Sequence, residues 1–223
     1  MTSPTTSWDL IQQAAAGDRA ARDAFLESYG PVVRATLAAR WRGGALAQEV
    51  DDALQDVWVE CFKTEGALER APERAGRGFR AFLHGVALNV ARRREERSAR
   101  GRPDEPLSGL SLESPDTTFA SQFDREWARR LVRDARDAFI ERARAAGEDA
   151  LRRVELLRLR FFEDVPIREV AERWQVDAAK LHHQYARARE EFRDALRATI
   201  QRHDPGKAAH VERELERLLA DLS

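Results

Sequence analysis

The residues best equipped for chemistry fall into three groups, and their types suit binding better than bond-making. The stretch "DDALQDVWVECF", residues 51–62, carries Asp51, Asp52, Asp56 and Glu60 with no basic residue among them. Residues 91–102, "ARRREERSARGR", are as basic as a contact to a polyanion requires. Residues 166–192, "PIREVAERWQVDAAKLHHQYARAREEF", place Lys180, His182, His183, Gln184 and Arg187 on the outer face of a second helix. Side chains of these types donate to phosphates and to base edges. No Gly-rich phosphate loop, Ser/His/Asp set or Cys/His set is present, so no enzyme activity and no cofactor are expected. The His182–His183 pair does not make a metal site. Neighbours on a helix point about 100° apart, and no Cys or carboxylate completes a ligand set.

These residues need helices to position them, and the apolar spacing supplies helices almost throughout. In residues 7–41 the positions Trp8, Ile11 and Ala14, then Phe25, Tyr29, Val32 and Val33, recur at three- and four-residue steps. Gly17–Asp18, Gly30–Pro31 and Gly43–Gly44 punctuate the run. Val50, Leu54, Val57, Trp58 and Cys61 then form one apolar stripe, and Asp52, Gln55, Asp56 and Glu60 form the opposite one. After a polar loop, Phe79, Phe82, Leu83, Val86 and Val90 drive a helix that ends in the arginines. Residues 101–122 are rich in Gly, Pro and Ser, show no period, and read as a linker. A long helix is expected from near Phe123, with Trp127, Leu131, Ala135 and Ala138, to about Gly147. In 166–192 a short helix holding Val170, Ala171 and Trp174 precedes Val176 at a turn. A second helix follows with Leu181, Tyr185, Ala188 and Phe192, which is the arithmetic of a helix-turn-helix. An ordinary helical hairpin with a polar outer face fits the same spacing. Val211, Leu215, Leu218 and Leu222 predict a short amphipathic helix in the tail.

The composition agrees with an all-α protein of small modules. Of 223 residues, 43% are hydrophobic and 35% charged, a balance that favours large polar surfaces over one deep core. The net charge of -1 leaves any nucleic-acid contact to local patches. One cysteine, Cys61, rules out an internal disulfide and reads as a buried small hydrophobe. No stretch approaches a signal peptide or a membrane span, so a cytoplasmic location without membrane insertion is expected.

Together these segments resemble the extracytoplasmic-function (group IV) sigma factors of the bacterial sigma-70 family. "DALQDVW" (52–58) and "FRAFLHGVALN" (79–89) are similar to the family's D-L-V-Q-E-V-F and F-R-A-W-L-x-x-I-A-x-N patterns. "VPIREVAERWQVDAAKLHHQYARAR" is similar to its second-domain helix-turn-helix. The resemblance covers roughly residues 10–100 and 150–195. It implies a sigma region 2-like domain at 1–100, a linker at 101–122, a region 4-like domain at 123–202 and a C-terminal helical extension at 203–223. It further implies that Asp52, Gln55, Asp56, Trp58 and Glu60 dock on the clamp helices of core RNA polymerase. Asn89 would hold an extruded base of the promoter -10 element, and Arg80, Arg92, Arg93, Arg94 and Arg97 its phosphates. The -35 element would fall to Lys180, His182, His183, Gln184 and Arg187. An anti-sigma factor or other regulator is a further implied partner, and the tail is expected to pack on the second domain or bind such a regulator.

Three departures from the family pattern stand out. Gln175 occupies the turn position usually given to Gly, Phe82 replaces the common Trp, and the loop from Lys63 to Gly78 is long and lacks an aromatic residue. The rival reading is a stand-alone helix-turn-helix regulator that binds DNA without polymerase. It leaves the acidic stripe as a plain solvated helix face, and two of the arginines as cations balancing a helix C-terminus.

Overall fold

A computed structural model describes residues 7–63, 68, 78–100, 115–203 and 212–216. Among these, all regular structure is helical, as the spacing of apolar residues predicts. Helix α1 (Ser7–Ala15) gives way to α2 (Arg19–Arg40) at Gly17, whose φ of 97° favours glycine. The Asp18 carboxylate accepts the Ala21 backbone N–H at 2.7 Å and caps α2. Gly30–Pro31, which the sequence marks as a break, lies inside α2. Proline removes one helical hydrogen bond, but Phe25, Tyr29, Val32, Val33 and Leu37 are each at most 2% exposed, and their burial outweighs that loss.

A 3-10 turn at Ala47–Glu49 leads into α3 (Val50–Phe62), which buries Val50, Ala53, Val57 and Cys61 at three- and four-residue steps. Helix α4 (Gly78–Arg100) buries Phe79, Phe82, Leu83, Ala87, Val90 and Ala91. Val86, expected in this stripe, is only half-buried. Helix α5 (Pro115–Ala146) opens well before Phe123, where the sequence places its start. Gly147, at φ 100°, separates it from α6 (Glu148–Phe161), followed by α7 (Ile167–Trp174) and α8 (Ala178–His203). Residues 212–216 are helical, with Leu215 fully buried; the remainder of the expected tail helix lies outside the described residues.

The chain divides into two compact units, residues 1–130 with 202–206, and residues 131–201 with 207–223. Residues 115–130 therefore sit with the first unit, although the sequence assigns them to a linker and to the start of a second domain. The cause is burial of Phe119, Phe123 and Trp127. In the first unit, Phe25 centres an aromatic cluster with ring centroids 4.8 Å from Tyr29, 5.8 Å from Trp58, 5.4 Å from Phe62 and 5.9 Å from Phe79. A fully buried ring such as Phe25 contributes about 1.5–3 kcal/mol by leaving water. In the second unit, Leu156, Leu159, Ile167, Val170, Ala171 and Leu181 form one core cluster, with Trp174, Val176 and Tyr185 packed on it. Phe139, Leu157, Ala188 and Ala195 form another.

Candidate functional site

Helices α3 and α4 bring the acidic and basic groups together. Asp56 and Glu60 lie one turn apart on the side of α3 toward α4, and both meet arginines there. Arg94 donates to Asp56 (2.7 Å) and to Glu49 (2.8 Å), and its side chain is only 13% exposed. Burial alone would lower the Arg94 pKa; the bonds to Asp56 and Glu49 overcome it and raise it. Arg93 donates to Glu60 at 3.0 Å, and Lys63 reaches the same carboxylate at 2.7 Å. The hydrogen bond from Lys63, with that from Arg93 behind it, holds the Glu60 carboxyl below its ordinary value against the opposing effect of burial. Arg97 lies 3.8 Å from Asp56 and donates its Nε–H to the Arg93 carbonyl at 3.2 Å.

The remaining two arginines of the proposed -10 set meet α5. Arg92 donates to Asp116 at 2.5 Å, and Arg80 lies 3.1 Å from Asp124. The Arg92 guanidinium depresses the Asp116 pKa and has its own raised in return. Beneath them Arg40, 8% exposed, grips Glu95 with two bonds of 2.5 and 2.7 Å, and the Trp41 indole N–H donates to the same carboxylate at 2.8 Å. Arg40 also lies 3.5 Å from Asp116 and over the Phe119 ring. Asn89 is exposed on α4.

The outward side of α3 is different in kind. Asp52, Gln55 and Val59 follow three- and four-residue steps, and all three are exposed, Val59 by 62%. Among the described residues the side chains of Asp52 and Gln55 have no hydrogen-bonding or ionic partner. Beside them Trp58, Val59, Phe62 and Lys63 line a shallow hollow of about 350 Å³. Trp58 is half-buried, its ring edge-on to Phe25. The four polar residues read as one stripe thus separate into an outward pair, Asp52 and Gln55, and an inward pair, Asp56 and Glu60.

In the second unit, α7 ends at Gln175 in the left-handed conformation (φ 54°, ψ 45°), whose N–H bonds to the Glu172 carbonyl at 3.2 Å. The Val176 N–H reaches the Ala171 carbonyl at 3.0 Å, so the chain turns without an unpaired donor at either residue. Asp177 then caps α8 by accepting the Lys180 N–H at 2.9 Å. Lys180, His183 and Arg187, at three- and four-residue steps, share one exposed stripe, with His182 exposed to one side and Gln184 half-buried on the other. Arg187 shares Glu191 with Arg153 (3.0 and 2.8 Å). Among the described residues Lys180, His182 and His183 have no side-chain partner.

Sequence reasoning passed over Glu49, Arg40, Glu95, Asp116 and Asp124, which complete the charge lattice. A signal for the last two existed: Phe119 and Phe123 precede Trp127 at four-residue steps, which would place Asp116 and Asp124 on a helix. Cys61 is buried and its thiol pushed up to about 12 by desolvation, with the Glu60 charge adding to it, so it has no thiolate chemistry near neutral pH. Among the described residues no group of His, Cys, Asp and Glu could hold a metal ion, and no helix is long and apolar enough to cross a membrane. No protein-family model and no curated protein matches the chain.

Proposed function

We propose that the chain is a promoter-specificity subunit of RNA polymerase, of the group IV sigma-factor type. In this reading the first unit docks on core enzyme and opens the -10 region, and α7–α8 form a helix-turn-helix that reads the -35 element. The observation that carries it is the division of α3 into two faces. The motif "DALQDVW" leaves Asp52 and Gln55 outward beside an apolar hollow, while its other acid, Asp56, and Glu60 just beyond it lock onto α4, which carries "FRAFLHGVALN". An exposed Val59 beside polar side chains suits a protein partner, since an apolar centre with a polar rim is how such interfaces are built. Asn89, exposed on α4, has an amide of the kind that reads a base edge. Core polymerase and promoter DNA are the proposed partners, with the clamp helices meeting Asp52 and Gln55.

A second reading, the stand-alone regulator, draws on one specific observation: Lys180, on the exposed stripe of α8, has no acidic partner among the described residues, whereas every arginine of the α4 set has one. Run-off transcription with purified core polymerase on a pool of genomic fragments separates the two. The sigma reading expects defined transcript starts that need this protein, lost on replacing Asp52 and Gln55 by Lys. The regulator reading expects no such starts and tight promoter binding without polymerase.

A further inference from the structure

All five arginines of α4 assigned to DNA phosphates are ion-paired within the chain, but not in equivalent ways. Arg93, Arg94 and Arg97 meet acids of α3 and its approach, Glu49, Asp56 and Glu60, and Arg94 is nearly buried. These bonds join two helices that the hydrophobic core already holds together. Arg80 and Arg92 are half-exposed and meet Asp124 and Asp116, both on the opening turns of α5. That part of α5 is fixed independently of the charges. Phe119 and Phe123 are at most 1% exposed, their rings lie 5.6 and 5.3 Å from that of His84 on α4, and Phe123 stacks with Trp127. Two carboxylates are thus held by apolar packing against two arginines of the basic face.

The geometry points to Asp116 and Asp124 as built-in competitors for nucleic-acid phosphate, which keep the affinity of the α4 face for single strands low. This rests on the reading of α4 as a nucleic-acid face. A phosphate must displace a carboxylate to reach Arg80 or Arg92, so these two cations release few counterions on binding and contribute little to affinity. The carboxylates are not expected to leave, because α5 is anchored by its aromatic residues. Each guanidinium instead turns from its carboxylate toward a strand only when something else holds that strand in place. A partner that positions the DNA is then a requirement for tight binding.

The test is fluorescence anisotropy of the full chain with a labelled mixed-sequence single-stranded DNA oligonucleotide over a range of salt concentrations. Asp116→Asn with Asp124→Asn should free two phosphate contacts. The slope of log K against log salt should steepen by about 1.4, and binding should tighten on the order of 25-fold near 0.1 M salt. Asp124→Asn alone, which leaves the Arg40 and Arg92 pairs intact, should give about half the slope change and on the order of 5-fold. Adding Arg80→Gln and Arg92→Gln should cancel the gain. Asp23→Asn with Glu27→Gln, exposed acids of α2 that pair with no arginine among the described residues, should remove the same charge without it. Unchanged affinity and slope in the folded Asp124→Asn variant, judged by circular dichroism, would overturn the inference. So would a gain that survives loss of the two arginines or is matched by the distant pair. Run-off transcription judges the sigma reading separately: transcripts with unchanged oligonucleotide binding keep that reading and discard this one, and freed binding without transcripts does the reverse.

Discussion

Arg94 and Arg97 lie one turn apart on α4 and touch the same carboxylate, yet they differ in what they hold. Arg94 is withdrawn from water and satisfies both Glu49 and Asp56, while Arg97 is 65% exposed and 3.8 Å from its acid. Removing a mostly buried guanidinium breaks two charge-assisted hydrogen bonds, whereas an exposed pair contributes little. Arg94→Ala should therefore lower the unfolding free energy by about 1–3 kcal/mol, and Arg97→Ala by no more than about 0.5 kcal/mol. Urea denaturation monitored by tryptophan fluorescence measures both. Equal losses would show that burial does not distinguish the two. The same contrast shows what the sequence could and could not yield at this scale. The residue types of both groups are plain on the page, but the partnership of Asp56 with Arg94, 38 positions apart, depends on the register between two packed helices. Nothing local encodes that register.

At the scale of elements, local chemistry is legible where a turn is made by glycine. Gly17–Asp18 and Gly147 end helices where the sequence places breaks, because a positive φ or a cap is a property of one residue and its neighbours. Gly30–Pro31 breaks nothing, because a core around α2 overrides propensity. The start of α5 was hidden by Pro, Ser and Gly in the sequence before Phe119. Its buried residues, Phe119, Phe123, Trp127, Leu131, Ala135, Phe139 and Ala143, keep an unbroken four-residue step. Such a step drifts by roughly 40° each time, so the stripe winds around the helix and a short window sees only part of it. The α7–α8 turn offers a paired test. Gln175 holds a left-handed conformation that favours glycine, so Gln175→Gly should stabilise the chain by about 0.5–1 kcal/mol. Asp177→Ala removes the cap of α8 and should cost about 1 kcal/mol. Thermal melts of the two variants should move in opposite directions.

For the molecule as a whole, charge pairing and burial each make stability depend on pH. The carboxyls of Glu60 and Asp116 are held below their ordinary values of 4.5 and 3.8 by hydrogen bonds from Lys63 and Arg92. The folded state therefore binds fewer protons than the unfolded one. This stabilisation is whole at neutral pH, fades once pH falls below those ordinary values, and is gone below the lowered ones. His84 acts higher on the scale. Burial against Phe119 and Phe123 lowers its pKa from 6.5, and its Nε2 has no hydrogen-bond partner among the described residues. Its contribution is present above that value and declines as pH falls through the lowered one. Melting temperature against pH should thus show one decline beginning below about 6.5, as for an ordinary histidine, and another beginning near 4.5. His84→Leu should remove the first alone.

The fork of Arg94 between Glu49 and Asp56 also restricts the order in which the sequence can drift. A lineage that lost Arg94 first would leave two carboxylates facing each other across the gap it had filled. One that first neutralised Asp56 or Glu49 would still have the guanidinium paired with the other acid. Substitutions at these three positions should therefore begin at one of the acids, with Arg94 lost before the second acid is neutralised, so that Arg94 outlasts one partner but not both among descendants of this chain.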